Sequence, residues 1–376
     1  MGRVRDLLRL VVLSILAIGV VVIRTNTMDP TKQTSKSTPA IGTISNQVRT
    51  IQLPGPVWKI AYDAKRNLLW FPSSLSPKEN TLDALDPSTG KLSTWSLPVT
   101  GYDGLTTQVE VGTDGAIWIA ENYTLIRLDP TLTSVASTVL SMDAVGATSN
   151  ALAGPTDGTG ISGIVPMGSG VLVGRFNVAE LSIVNPDLST SGEVALPPGI
   201  SGPSTLAWDN DGSLVLMSGR FSAGTVTVLN PDYSVRSKTQ LDATAILLDR
   251  GYLFPSGGAL TGIQVAPGQA VSASPLLPDF GPYAQTVVDP TGGQSIYNDA
   301  DGSLTKVVDG AVVDSYLLPR TPLLTQPNYP VLPGETPTAH KPIVSLPANV
   351  FAMMDDSTGT TWCFVMATRT LYGVKL

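Results

Sequence analysis

The stretch Gly112–Pro130, GTDGAIWIAENYTLIRLDP, places two turn signals around a run of apolar residues and a single glutamate. Asp114-Gly115 supplies the positive φ of a tight hairpin turn, and Asp129-Pro130 ends a strand because proline lacks the amide hydrogen that a sheet requires. Apolar residues at Ala116–Ala120 occupy both strand faces, which is typical of a strand covered on both sides. The stretch predicts two short strands of a sheet that packs between other sheets.

Related units recur from residue 41 to the end of the chain. One contains LPGPVWKIAYDAKRNLLWF and TLDALDPSTGKLSTWSLP, and the last is VFAMMDDSTGTTWCFVMATRTLYGVKL. The steps from Asp86 to Asp129 and from Asn185 to Asn230 are close to the roughly 40–45 residues of a four-stranded propeller blade. With the weaker copies included, the sequence predicts an all-β, seven-bladed β-propeller over residues 41–376, with six or eight blades as alternatives.

The repeat also predicts how the ring closes. Residues 47–53 precede the first inner strand, and the last unit has no outer strand of its own. We expect these two elements to pair, because the pairing closes the ring by joining the first and last strands of the propeller and removes exposed sheet edges. Three tryptophans at matching positions, Trp70, Trp118 and Trp362, are expected to fill the cores between blades.

The composition excludes several functions. The chain has 376 residues and is 42% hydrophobic, which is enough for a large core without disulfides. Its one cysteine, Cys363, can form neither an internal disulfide nor a thiolate metal cage. A net charge of -7, with no Lys/Arg cluster beyond the first residues, argues against nucleic acid as a partner. We expect a monomer whose partner is a protein or a small molecule.

The N-terminal residues have the pattern of an export segment. Arginines precede the apolar run Leu10–Ile23, which is the order found in signal peptides and signal anchors. No clear small-residue cleavage site follows, so we interpret residues 1–28 as a signal peptide or, by preference, an uncleaved signal-anchor helix. Residues 29–40 are polar and are interpreted as a flexible tether. We expect a single-pass protein of the cell membrane with the propeller outside the cytoplasm, or a secreted one if the segment is cleaved.

Four stretches carry the clearest copies of the repeat: GAIWIAENYTLIRLDP, LPGPVWKIAYD, LLWFP and DPSTGKLSTWSLP. They resemble the repeat of the streptogramin B lyase (virginiamycin B lyase-like) family of seven-bladed propellers, over residues 47–235. The resemblance implies an elimination that opens a cyclic depsipeptide antibiotic, using histidines, a glutamate and a divalent metal ion, usually Mg²⁺. Trp118-Ile119-Ala120-Glu121 matches the family's glutamate motif, which makes Glu121 the candidate catalytic residue. The alternative is a carboxylate at a strand end that is solvated or caps a turn.

The family's histidines have no counterparts in this chain. At the three matching positions stand Trp58, Ser204 and Tyr283, which we take as candidate ligand-binding residues at the channel mouth. The single histidine, His340, matches no family position. Elimination needs a general base that titrates near the working pH, and histidine is the usual choice. We therefore predict no lyase activity, no metal site and no cofactor. Mg²⁺ belongs only to the alternative, a metal-dependent enzyme acting as a divergent lyase or a lactonase.

The segment Pro319–Pro342 contains seven prolines, too many for a central strand. We interpret it as an extended insertion, either a passive surface loop or a segment that caps the channel or presents a polyproline surface to a partner. Taken together, the sequence predicts an extracytoplasmic, membrane-tethered propeller that acts as a non-catalytic ligand- or protein-binding module.

Overall fold

The protein is seen in a computed structural model. The residues that the structure describes are 43–44, 48–57, 59–76, 79–98, 108–140, 160–176, 178–200, 202–203, 205–208, 212–218, 224–241, 245–249, 252–256, 260–264, 272–277, 285–288, 294–298, 302–308, 311–319, 350–366 and 368–376. The predicted anchor and tether at residues 1–40 lie outside them. So do Trp58, Ser204, Tyr283, His340 and nearly all of the proline-rich segment.

The described chain is all-β and follows one repeating order of strands. It enters with β1 (Thr43–Ile44) and β2 (Val48–Gln52), which belong to the last blade. Blade 1 contains β3 (Ala61–Asp63), β4 (Leu68–Ser76), β5 (Glu79–Leu85) and β6 (Leu92–Ser96). Blade 2 contains β7 (Gln108–Val111), β8 (Ile117–Glu121), β9 (Thr124–Leu128) and β10 (Val135–Val139). Blade 3 contains β11 (Ile161–Met167), β12 (Gly170–Arg175), β13 (Glu180–Val184) and β14 (Thr190–Ala195).

The second half of the chain repeats this order. Blade 4 contains β15 (Thr205–Trp208), β16 (Leu214–Ser218), β17 (Gly224–Leu229) and β18 (Val235–Leu241). Blade 5 contains β19 (Ala245–Asp249), β20 (Tyr252–Ser256), β21 (Leu260–Gln264) and β22 (Ser272–Leu277). Blade 6 contains β23 (Gln285–Val288), β24 (Gln294–Asn298), β25 (Ser303–Val308) and β26 (Ala311–Leu317). Blade 7 contains β27 (Val350–Asp355), β28 (Thr360–Val365) and β29 (Thr370–Lys375) together with β2 and β1.

The described strands thus form seven antiparallel sheets, and their contacts run in a closed circle. The first strand of each blade, from β3 to β27, contacts the first strand of the next, and β27 contacts β3. A ring of sheets that touch through their first strands is a β-propeller with those strands innermost. The predicted all-β propeller fold is confirmed.

The ring closes where the sequence predicted. β2 pairs antiparallel with β29, from Val48 opposite Val374 to Gln52 opposite Thr370. The fourth strand of blade 7 therefore comes from the start of the propeller, and its three inner strands come from the end. β1 adds a short fifth strand outside β2.

The cores lie between neighbouring blades. Trp70, Trp118 and Trp362 each stand on the second strand of a blade and are almost completely buried. Trp70 packs in a cluster with residues of blade 2, Trp118 with residues of blade 3, and Trp362 with residues of blade 1. Each tryptophan thus fills the space to the following blade, as the sequence predicted.

The two faces of the ring carry connections of different length. In every antiparallel blade, the turns from first to second and from third to fourth strand lie at one end. These turns are short, such as residues 168–169 and 129–134, and we call this end the short-turn face. The turns from second to third strand lie at the other end, together with the connections between blades. The longest of those connections in sequence join Ser96 to Gln108, Val139 to Ile161 and Leu317 to Val350, and we call the end at which these strands end and begin the long-connection face.

Candidate functional site

Glu121 is the last residue of β8, at the long-connection face of blade 2. All five residues of this strand are buried, and Glu121 is only 4% exposed. The structure therefore differs from the solvated carboxylate that the sequence allowed. Oε1 of Glu121 lies 3.5 Å from Nδ2 of Asn122, the first residue of the adjoining turn. The glutamate is in contact with its own turn rather than standing free in the solvent.

The turn after Glu121 is attached to the blades on both sides. Asn122 has a φ of 52°, in the left-handed region that asparagine tolerates better than most residues, which lets a two-residue turn lead into β9. The amide of Leu140, just after the end of blade 2, donates to the carbonyl of Tyr123 at 2.9 Å. The amide of Ile161, at the start of blade 3, donates to the carbonyl of Asn122 at 2.6 Å. Glu121 is thus held at the junction of blades 2 and 3.

A buried polar cluster occupies the matching position in blade 1. Ser73 takes the place of Glu121, and its hydroxyl bonds Thr81 at 2.8 Å and donates to the Asp83 carboxylate. Burial raises the pKa of Asp83 above 3.8, against the opposing effect of hydrogen bonds from Ser73, Thr94 and Thr81. The backbone of Val57 forms an isolated bridge with Ser73. A carboxylate therefore lies in blade 1 as well, one strand further out than Glu121.

Sequence reasoning missed Asp83 as a site residue. It stands in the strand TLDAL between Leu82 and Ala84, both buried. A charged residue among apolar ones in a central strand is the signal that could have found it, because such a charge has to be hydrogen-bonded or neutralised.

A second buried cluster joins blades 6 and 7. Nζ of Lys306 lies 3.5 Å from Oδ2 of Asp355, and their side chains are 8% and 0% exposed. The Ser295 hydroxyl donates to the same carboxylate oxygen at 3.1 Å and lies 2.8 Å from Oγ1 of Thr361. Asp355 ends the first strand of blade 7, so this cluster belongs to the short-turn half of the ring. In the sequence, the lysine and the aspartate stand in apolar strands more than forty positions apart. No local pattern indicates that these two residues form a pair.

The structure describes only one of the four candidate site residues. Glu121 is described, whereas Trp58, Ser204 and Tyr283 lie outside the described residues, so their convergence with Glu121 stays a prediction. In the described ranges, no group of three or more His, Cys, Asp or Glu side chains is arranged to hold a metal ion. The described chain also contains no helix with the length and apolar character needed to cross a bilayer.

Comparisons with known proteins show the fold. No family model matches the chain, and no curated protein matches it. The chain is similar in structure to virginiamycin B lyase of Staphylococcus aureus, with 14% identity, a TM-score of 0.57, and coverage of 88% of this chain and 99% of the lyase. A catalytically inactive variant of that lyase with quinupristin gives 12% identity and a TM-score of 0.59, with the same coverage. The chain is also similar in structure to the β-propeller domain of Swd1 from Myceliophteria thermophila. The sequence identity is 9% and the TM-score is 0.57, with coverage of 87% of this chain and 99% of that domain. Neighbours at such low identity establish a β-propeller and do not assign a family.

Proposed function

We propose that this chain is an extracytoplasmic, membrane-tethered β-propeller that binds a ligand or a protein and catalyses no reaction. The observation that carries the proposal is the difference between its two faces. The three longest connections between strands all start from one face, and binding residues are commonly displayed on such connections above a rigid scaffold.

Contacts at the short-turn face support a scaffold role for that half of the ring. The Arg66 guanidinium bonds the carbonyls of Gly115 and Pro130 in blade 2, at 2.8 and 2.6 Å. Nζ of Lys65 donates a hydrogen bond to the carbonyl of Thr113 at 2.8 Å, and the indole N–H of Trp95 donates to the carbonyl of Leu132 at 3.1 Å. These bonds fix the turns of blades 1 and 2 relative to each other. The strands that lead to the opposite face are therefore held in position.

In this proposal the binding surface is the long-connection face. Glu121, which is buried beneath its own turn, would help to position Asn122 at that surface, and Trp58, Ser204 and Tyr283 would contribute contact area and hydrogen bonds. The export segment at residues 1–28 supports a location outside the cytoplasm, tethered through residues 29–40.

The alternative is a metal-dependent propeller enzyme, and one observation favours it. Glu121 stands where the streptogramin-lyase-like motif has its glutamate, and its side chain is almost completely withdrawn from solvent, at 4% exposure. Such an enzyme would perform lyase-like C–O elimination or lactonase-type hydrolysis with Mg²⁺ as its cofactor.

The first experiment separates these two functions. The full chain in detergent is assayed for turnover of aryl esters and lactones, and for thermal shift, with and without Mg²⁺. Glu121→Gln is the test variant, and Glu180→Gln, an exposed glutamate on the same face, is the matched control. We expect no turnover and no metal-induced shift that depends on Glu121. Saturable turnover lost only in Glu121→Gln would establish the enzyme instead.

A second experiment asks which face binds. A photoreactive amino acid replaces either Pro198, exposed at the long-connection face, or Lys91, exposed at the short-turn face. The chain is irradiated in cells of the organism that encodes it. We expect discrete crosslinked products from position 198 and few from position 91. Equal crosslinking from the two positions, or products only from position 91, would contradict the assignment of the binding face.

A further inference from the structure

The last hairpin of blade 6 exposes an unusual amount of apolar surface. Of the six large hydrophobic residues that are exposed in the described part of the chain, four belong to β25 and β26: Val308, Val312, Val313 and Leu317. Val313 is 58% exposed and Leu317 is 57% exposed. A concentration of exposed apolar residues on one short element marks an interaction surface more often than scattered single residues do.

β26 is also an open edge. It is the outermost strand of blade 6, and no other described strand pairs with its outer side. The amide of Leu318 donates inward, to Gly302 at 3.0 Å, so the amides of Tyr316 and Asp314 also face inward and those of Ser315 and Leu317 face outward. The Ser315 amide accordingly meets its neighbour's carboxylate, Oδ1 of Asp314 at 2.7 Å, instead of a strand.

Outer edges in this ring do accept another strand. β1 pairs with β2 on the outer side of blade 7, through Thr43 opposite Thr50 and Ile44 opposite Arg49. The outer strand of blade 6 presents the same kind of edge with more exposed apolar side chains. It contains no lysine or proline, and the features that modify this edge are the carboxylate of Asp314 and the bulge at Val313.

The sequence of β26, AVVDSYL, complements itself when read against an antiparallel copy. With a two-fold axis through Ser315, Val313 stands opposite Leu317 of the second copy, and Asp314 stands opposite Tyr316. The two most exposed apolar residues of the hairpin would then cover each other. The two Asp314 carboxylates would lie apart, and each could accept a hydrogen bond from the Tyr316 hydroxyl of the other copy. At the axis, Ser315 would stand opposite Ser315 of the second copy, and both side chains are small. Val313 is the extra residue at a register shift against β25, so its own sheet leaves it unpaired.

From this register we propose that two copies of the chain associate through β26, forming a continuous sheet across blade 6 of each copy. A second copy is the occupant that fits, because the residues from Val313 to Leu317 each find a compatible residue in the same stretch of the second copy. A two-fold contact of this kind also closes on itself and does not grow into a fibre. We predicted a monomer from the sequence, and the experiment below decides between the two states.

Disulfide trapping tests the pairing directly. Hydrogen-bonded residues opposite each other in antiparallel strands have Cα atoms about 5.5 Å apart, within disulfide reach. Ser315→Cys in the full chain in detergent should therefore give a covalent dimer under mild oxidation. Cys363, the only natural cysteine, is fully buried and its thiol pKa is raised by burial, so it does not compete. Ser191→Cys, exposed on the outer strand of blade 3, is the matched control and should stay monomeric.

Charge substitutions distinguish specific pairing from random collision. Val313→Lys with Leu317→Lys, added to Ser315→Cys, should lower the dimer fraction about tenfold, because like charges would oppose each other across the axis. Val139→Lys, at a valine 62% exposed on blade 2, should leave the dimer fraction unchanged. All of these residues are exposed, so we expect the substitutions to leave the fold intact. Equal trapping of Ser315→Cys and Ser191→Cys, or trapping unaffected by the lysines at 313 and 317, would overturn the proposal.

Discussion

At the scale of single residues, two aspartates respond to pH in opposite directions. Asp83 is buried among the hydroxyls of Ser73 and Thr81, and burial raises its pKa. Asp129 lies in an exposed turn, where the hydroxyl of Thr131 and then the amide of Ser134 are the main bonds that hold its pKa well below 3.8. An ionised aspartate therefore lowers the stability of the folded protein at position 83 and raises it at position 129.

For Asp83, we expect the stability cost to grow with pH. A raised folded-state pKa means that the folded protein holds the proton more tightly, so stability is lost as pH rises from about 3.8 through the raised pKa. Asp83→Asn removes the charge and keeps hydrogen-bonding capacity. The free energy of unfolding of this variant, measured by urea, should improve relative to the natural protein between about pH 3.5 and pH 7. A difference between the two proteins that does not change with pH would contradict this account.

For Asp129, the sign reverses. Its carboxylate accepts hydrogen bonds from Thr131, Thr133 and Ser134, and this contribution is present above pH 3.8 and is lost as pH falls below it. Asp129→Asn should therefore lower the melting temperature at pH 7 and have progressively less effect toward about pH 3. Melting curves at several pH values check this. If the deficit of the variant grew as pH fell, the proposed cause would be wrong.

At the scale of elements, the blades are joined by polar contacts as well as by apolar cores. Lys306 on β25 and Asp355 on β27 form an ion pair across the interface of blades 6 and 7, with Ser295 and Thr361 on the same cluster. An ion pair at this depth contributes little net stability, because desolvation offsets the attraction, yet removal of one partner leaves a buried charge.

We expect Lys306→Met to destabilise the protein by about 3–5 kcal/mol, since it leaves the Asp355 carboxylate buried without its cation. Lys306→Met combined with Asp355→Leu should recover most of that loss, because the remaining interface is apolar. Urea unfolding of the two single variants and the double variant gives the coupling energy directly. Losses that simply add in the double variant would show that the two residues act independently.

At the scale of the whole molecule, ring closure rests on one strand from the beginning of the propeller. β2 pairs with β29 over five residue pairs from Val48 to Gln52. At one end of this ladder, the Thr370 hydroxyl and the Gln52 side-chain amide oxygen lie 3.2 Å apart. The contact joins residues near the first and last positions of the propeller in the sequence. The pairing of β2 with β29 therefore closes a loop that contains nearly the entire domain.

A disulfide across this closure is expected to stabilise the protein. Gln52→Cys with Thr370→Cys should cross-link in an oxidised sample and raise the free energy of unfolding by about 2–4 kcal/mol, mainly by restricting the unfolded chain. The reduced form of the same variant is the control, measured by thermal unfolding in parallel. A variant that cross-links without gaining stability over its reduced form would show that this ladder does not limit unfolding.

Local sequence was sufficient for the repeating strands, the turns, the ring closure and the three inter-blade tryptophans. Alternation, Asp-Gly pairs and proline steps act over a few residues, and a repeated unit imposes its geometry on every copy. The burial of Glu121, the Ser73–Asp83 cluster, the Lys306–Asp355 pair and the exposed edge of β26 came only from the folded ring. Each depends on which distant blades become neighbours and on which strand is left at an edge, and no local pattern encodes the pairing of side chains across blades.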